Sequence, residues 1–251
     1  MTVVVPVLVG VFGAAIGSFL NVVIYRVPRG VSVVTPPSAC PQCATPIRPG
    51  DNIPVLSWLL LRARCRACSA PIAPRYAIVE LVTALVFAGL AALSAPAILT
   101  ASSVAASAAA VLELVALLWF AGIAIALTAI DLDTHRLPDR IVLPSYAVLA
   151  ALLGTAALLT GDGEGAARAA AGAGILFAFY LALALISPRS MGMGDVKLAG
   201  VIGLMLGWVG WAALAVGALA AFLLGGLAAV ALILARRARR TTGIPFGPWM
   251  L

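Results

Sequence analysis

The sequence predicts an all-α fold, a polytopic bundle of membrane helices carrying one small cysteine-rich loop, and three observations predict it. Hydrophobic residues fill 63% of the 251 positions and charged residues 10%, whereas soluble domains carry about 25% charged residues. Seven apolar runs recur along the chain, each close to the roughly 20 residues needed to cross a hydrocarbon core of about 30 Å. Period-2 alternation with turn signals is absent. Backbone amides in lipid must bond internally, so these runs are expected to be helices and not barrel strands.

The first run covers residues 3–24. No positive charge precedes it, it is too long for a signal peptide, and no small-residue cleavage pattern follows, so it reads as a retained helix. Gly10, Gly13 and Gly17 lie along it at spacings that let a second helix approach closely. The remaining runs cover residues 77–93, 112–130, 141–159, 169–186, 198–216 and 218–235. The Ala-rich stretch 97–110 reads as a loosely apolar linker or a helix extension. Residues 26–76, rich in Pro, Arg and Cys, form the sizeable extramembrane segment.

The formal charge of +7 raises the question of nucleic acid, and the distribution of the 16 basic residues answers it. Seven lie between Arg26 and Arg75. Arg136 and Arg140 follow the third span, Arg189 and Lys197 flank the turn before the sixth, and Arg236, Arg237, Arg239 and Arg240 follow the seventh. With the N-terminus outside, all fifteen fall on the cytoplasmic side and Arg168 alone falls on the other. The basic excess is therefore topological. Lipid is the expected partner and nucleic acid is not.

All four cysteines lie in the extramembrane loop as Cys40-x-x-Cys43 and Cys65-x-x-Cys68, separated by 21 residues. Two CxxC knuckles at this spacing resemble a zinc ribbon, in which four thiolates close a tetrahedral, structural site with no open position for water. Disulfides are the competing reading, disfavoured in a reducing compartment. Arg residues beside the second pair would help keep the thiols ionised.

Asp131 ends the third span and Asp195 opens the sixth, so both are expected at the cytoplasmic membrane boundary. Ionisable groups at that depth are costly and point to function, above all when two of one sign meet. A neighbouring carboxylate and carboxylic acid can share one proton, one activating water and the other protonating a peptide carbonyl. Gly192 and Gly194 precede Asp195 and would let an extended peptide lie against the turn. By itself the Gly-x-Gly-Asp string also fits a plain turn with a helix-capping Asp. Asp133 competes with Asp131. It lies about 200° around a continuing helix, so the two cannot both face Asp195. Asp139 reads as a helix cap, and Lys197 either as an aid to the acids or substrate or as a boundary lysine. Glu80 reads as a buried hydrogen-bond partner, and Glu113 as an acid near a helix end that reaches water. His135, the single histidine, excludes an HExxH zinc protease.

These landmarks together resemble the type IV prepilin peptidases, membrane aspartic proteases whose second catalytic residue sits in a GxGD motif. GSFLNVVIYRVPRG from Gly17, the two CxxC pairs, PRYAIVELVTAL from Pro74, DLDTHRLPD from Asp131, MGMGDVK from Met191 and IPFGP from Ile244 occur in family order. The resemblance implies a first catalytic aspartate seven residues before the Pro of a Leu-Pro-Asp turn, which selects Asp131, and a second at Asp195. It implies removal of a basic leader from prepilins and pseudopilins at the cytoplasmic face of the cytoplasmic membrane, and methylation of the new N-terminus by S-adenosylmethionine. Under this reading residues 1–25 are the first transmembrane helix, 26–76 the cytoplasmic four-cysteine loop and 77–251 the peptidase core. The family continues after IPFGP into an eighth span, which is expected to be missing from a chain that stops at Leu251.

Two other functions compete. A proton-coupled transporter would use Asp131, Asp195 and Glu80 as a relay, yet leaves the cysteine knuckles without a purpose. A membrane-tethered zinc-ribbon binding module explains the knuckles and leaves the acids idle.

Overall fold

The computed structural model describes residues 3–187, 191–235 and 246–251. Arg189, the basic cluster Arg236, Arg237, Arg239 and Arg240, and the first two residues of IPFGP, Ile244 and Pro245, lie outside the described residues. Among those described, regular structure is helical, with two isolated β-bridges, Ala39 with Pro46 and Arg64 with Pro71, one at each cysteine knuckle. The helices are α1 Val4–Arg26, α2 Leu56–Leu60, α3 Pro74–Leu99, α4 Val104–Thr134, α5 Asp139–Thr160, α6 Gly163–Ile186, α7 Met193–Val209, α8 Trp211–Leu234 and α9 Gly247–Met250.

Six of these helices, α1, α3, α4, α5, α6 and α8, are long and apolar enough to cross a membrane, so the chain is a multi-pass membrane protein. The sequence predicts seven spans, and the difference lies at α7. Its 17 residues rise only about 26 Å, short of the hydrocarbon thickness. Ten of them are buried, so protein rather than lipid covers most of this helix. The predicted sixth span, 198–216, is also cut. Gly210, at φ 153° and ψ 165°, breaks the helix after Val209, and residues 211–216 belong to α8. Hydropathy cannot register that break, because Gly210 stands between Val209 and Trp211 in an unbroken apolar run.

The helix ends follow local chemistry. Ser103 Oγ accepts from the Ala106 N–H at 3.1 Å and Asp162 Oδ1 from the Gly165 N–H at 2.8 Å, starting α4 and α6. His135 closes α4 and Gly161 closes α5 with left-handed backbone. The Ala-rich stretch 97–110 resolves into the end of α3 and the start of α4 around Ser103.

The chain divides into two compact units, Met1–Ala101 with Leu117–Ala126, and Ser102–Ala116 with Leu127–Leu251. In the first, α1 packs on α3 through the expected glycines. A Cβ at Gly13 would lie 2.7 Å from Phe87 Cβ, and one at Gly17 would lie 2.7 Å from Glu80 Cα. In the second, α6 and α7 approach through Gly172, Gly203 and Gly207. A Cβ on Gly203 would overlap the Gly172 carbonyl, and one on Gly172 would stand 3.0 Å from Gly207 Cα. Small residues permit this contact where lipid supplies no hydrophobic drive between helices. Arg168, read from sequence only as the solitary outer basic residue, donates from Nε to Gly207 O at 2.8 Å and from Nη2 to Trp208 O at 2.9 Å. It thereby satisfies the last carbonyls of α7 with a cation at the negative end of the helix dipole.

Candidate active site

Asp131 lies in the last turn of α4, one turn before the left-handed cap at His135, and is 5% exposed. Its Oδ2 accepts the backbone N–H of Gly247 at 3.1 Å. Asp195 is the third residue of α7, and its Oδ2 accepts the backbone N–H of Gly192 at 3.2 Å, while its own N–H donates to Gly192 O at 3.1 Å. The helix start thus fixes the carboxylate in the first turn, where orphan amides and the dipole favour negative charge. Each acid is held through one oxygen by a glycine amide, leaving Oδ1 for other partners.

The two acids lie within electrostatic reach of each other, and Tyr180 lies within reach of Asp195. Leu137, in the turn between α4 and α5, joins the parts. Its Cβ stands 3.0 Å from where a side chain on Gly194 would begin, and its Cδ2 is 3.4 Å from the same point on Gly247. Tyr180, Phe222 and Phe246 stack beside them with centroids 5.5 to 6.2 Å apart, an apolar wall in which Tyr180 is fully buried. Two carboxylates so placed, screened from water on one side, can divide acid and base duties around a bound water.

Lys197 does not point its charge at the acids. Its Nζ donates to both oxygens of Asp139 at 2.8 and 2.9 Å, and its carbonyl accepts the Tyr146 hydroxyl at 2.6 Å. Two residues of α5 therefore hold the turn of α7 that carries Asp195. Asp139 is not the expected helix cap. Pro138, in extended conformation, occupies that position, and Asp139 is the first helical residue, free to reach Lys197 while still favoured by the dipole. Asp133 and His135 are exposed.

Glu80 belongs to the first unit. It is 9% exposed, and its Oε2 accepts the Val55 N–H at 2.6 Å, the buried hydrogen-bond role expected of it. Sequence reasoning assigned no role to Gly247, Leu137, Tyr146 or Tyr180. IPFGP was visible as a landmark, but no local pattern ties Gly247 to an aspartate 116 residues away.

In the loop, the Sγ atoms of Cys40, Cys43, Cys65 and Cys68 all lie within 4.8 Å of one another, with Cys40 and Cys68 at 3.8 Å. Four sulfurs at about 2.3 Å from a tetrahedral ion stand about 3.8 Å apart, so the cluster fits a metal ion. Hydrogen bonds from the Thr45 side chain and backbone hold the Cys43 thiol down to about 6. Cys68 is pushed up to about 12 by the neighbouring Cys43 and by desolvation, against the pull of the Ala70 amide. Crowded thiolates repel, and a cation relieves that repulsion. The loop is braced by Arg66, whose Nη2 lies 2.6 Å from Asp51 Oδ1 and whose guanidinium holds the Asp51 carboxyl below the usual carboxylate range.

The model of a family described as "Bacterial Peptidase A24 N-terminal domain" matches residues 11–94, and that of the "Type IV leader peptidase family" matches residues 118–234. The chain is 38% identical to the prepilin leader peptidase/N-methyltransferase of Aeromonas hydrophila, with 97% of this chain and 86% of the relative aligned. It is 31% identical to the protein of that name from Pseudomonas aeruginosa, over 95% of this chain and 84% of the relative. An Escherichia coli relative, "Type 4 prepilin-like proteins leader peptide-processing enzyme", is 38% identical over 97% of this chain and 89% of its own length. No solved structure matches the chain.

Proposed function

Since the chain belongs to the type IV leader peptidase family, we propose that it cleaves the basic leader from prepilins and pseudopilins with Asp131 and Asp195 as its acid pair. The observation that carries the residue assignment is the matched tethering of the two acids to the amides of Gly247 and Gly192, within electrostatic reach of each other.

In this reading the pair holds one proton. The ionised carboxylate takes a proton from a water, whose oxygen attacks the scissile carbonyl carbon. The protonated partner gives its proton to the carbonyl oxygen, forming a neutral gem-diol. Collapse breaks the C–N bond as the leaving amine is protonated, and the pair returns to one shared proton. Gly192 is exposed and leaves the turn beside Asp195 open to an extended peptide, while Gly194 lets Leu137 pack against the start of α7. Lys197, held by Asp139 and Tyr146, supports the reaction by positioning α7, and Glu80 by fixing the loop.

Cys40, Cys43, Cys65 and Cys68 would hold a structural Zn²⁺, which closes the loop and takes no part in hydrolysis. The relatives' names include N-methyltransferase, and transfer of a methyl group from S-adenosylmethionine to the new N-terminus is the second activity proposed for this chain. We place the enzyme in the cytoplasmic membrane with its N-terminus outside and the loop and acid pair at the cytoplasmic face, on the distribution of basic residues; this reading has the short, protein-covered α7 cross as well, from Asp195 near its start to the carbonyls bound by Arg168 at its end.

The test is co-expression with a prepilin, following its size in membranes. Asp131→Asn and Asp195→Asn each abolish processing, while Asp133→Asn retains it. Normal processing by the first two variants refutes the acid pair, and loss in the third with activity in Asp131→Asn refutes the choice between them.

A further inference from the structure

Helix α2 has its polarity reversed. Ser57 is buried, accepting the Ile53 N–H at 3.0 Å and donating to Gly50 O at 3.1 Å, so the polar side of this turn faces the protein. Leu56, Leu59 and Leu60 face outward at 48, 58 and 72% exposure, with Ile53 beside them at 47%. In an aqueous loop such an arrangement wastes apolar surface, and a contiguous patch of this kind marks a contact.

The depth of α2 follows from one tether to α3, through Glu80, and two to Ile72 just before that helix. The Val55 N–H donates to Glu80 Oε2 at 2.6 Å, Trp58 Nε1 donates to Ile72 O at 3.1 Å, and the Ile72 N–H donates to Ala63 O at 2.7 Å. Glu80 lies six residues into α3, about 9 Å along its axis from Pro74. The 26 residues of α3 rise about 39 Å, roughly 9 Å more than the hydrocarbon core. Even if all of that excess projects at the Pro74 end, Glu80 sits at the hydrocarbon boundary, and any other division places it deeper. Helix α2 is thus held at the level of the lipid headgroups, with its leucines uncovered by protein.

The residues that follow α2 carry the matching charge. Arg62, Arg64 and Arg66 line one open cleft with Leu61 and Ser69. Arg66 is occupied by Asp51, whereas no ion pair holds Arg62 or Arg64 among the described residues. Leucines at headgroup depth followed by unpaired guanidiniums form the pattern of an interfacial anchor, apolar side in the acyl boundary and cations on the phosphates. A basic prepilin leader would be repelled by the same arginines.

We infer that Leu56, Leu59 and Leu60 with Arg62 and Arg64 form a lipid-binding surface that docks the cysteine loop onto anionic phospholipid headgroups. The surface lies wholly in the first unit and stands whether or not the acid pair is catalytic. Its strength depends on lipid charge. Two arginines at an anionic surface favour the docked loop by up to about 30-fold over a zwitterionic one.

Hydrogen exchange of the full-length protein, zinc-loaded, in nanodiscs tests this. Amides of residues 53–66 should exchange more slowly in discs containing phosphatidylglycerol than in phosphatidylcholine discs, with α3 peptides unchanged. Arg62→Glu with Arg64→Glu should erase the dependence on lipid charge, and Leu59→Ser with Leu60→Ser should speed exchange in both lipids. Equal exchange of the wild type in the two lipids overturns the inference. So does protection that appears only on adding a prepilin, which would give the surface to substrate. Loss of prepilin cleavage in Asp131→Asn leaves these exchange rates untouched, which separates the two readings.

Discussion

Gly247→Ala isolates the least visible part of the acid pair. An added Cβ would stand 2.7 Å from Asp131 Oδ2 and 3.3 Å from its Cγ, inside any normal carbon–oxygen contact. Asp131 is 5% exposed and has little room to turn, and the segment carrying Gly247 is pinned by Phe246 in the ring cluster and by Trp249 against Gly225. The carboxylate must give up its amide hydrogen bond. A hydrogen bond to a charged group contributes about 1.5–3 kcal/mol, so the cleavage rate should fall roughly 10- to 150-fold. The loss should appear in kcat and not in KM, because the bond orients a group used in the chemical step. Initial rates of prepilin cleavage, normalised to folded enzyme in the membrane, measure it. Gly226→Ala, which meets nothing within 4 Å, serves as the control. Cleavage by Gly247→Ala at the wild-type rate would refute the role given to this amide.

Further predictions concern packing and the thiols. Gly203→Ala places a methyl group on the Gly172 carbonyl and should destabilise the α6 and α7 pair by about 1–3 kcal/mol, whereas Gly174→Ala, in open space, should leave the thermal midpoint unchanged. Fluorescence-detected size exclusion after heating reads both. In metal-free protein at neutral pH, Cys43 should be alkylated first and Cys68 last, as mass spectrometry of the loop peptides would show. The Cys43 thiol lies at about 6, below its ordinary 9.0, so its reactivity and its contribution to loop stability decline as pH falls through about 6; added zinc should protect all four cysteines.

The positions of the acids at helix ends gave each a separate amide, and the reason differs between the two. Asp195 makes its bond to Gly192 within one turn, so any chain with this local sequence can form it. Asp131 needs Gly247, whose neighbours Phe246 and Trp249 pack against Gly225 of α8, so its bond depends on that long-range contact. A mutation that loosens α8 should therefore disturb Asp131 before Asp195.

By itself the sequence determined the all-helical class, the membrane as solvent, the paired cysteine knuckles and the identity of the two acids as candidates. Those signals are local, because twenty apolar residues, a CxxC turn or a Gly-x-Gly-Asp string carries its meaning wherever the rest of the chain lies. Only the tertiary structure decided that Gly210 ends α7, that Asp139 binds Lys197 instead of capping α5, that Arg168 caps α7, that Glu80 holds the loop and that Gly247 meets Asp131. Each is a contact between residues distant in sequence or a backbone angle inside an apolar run. Hydropathy averages over such features, and packing alone fixes them.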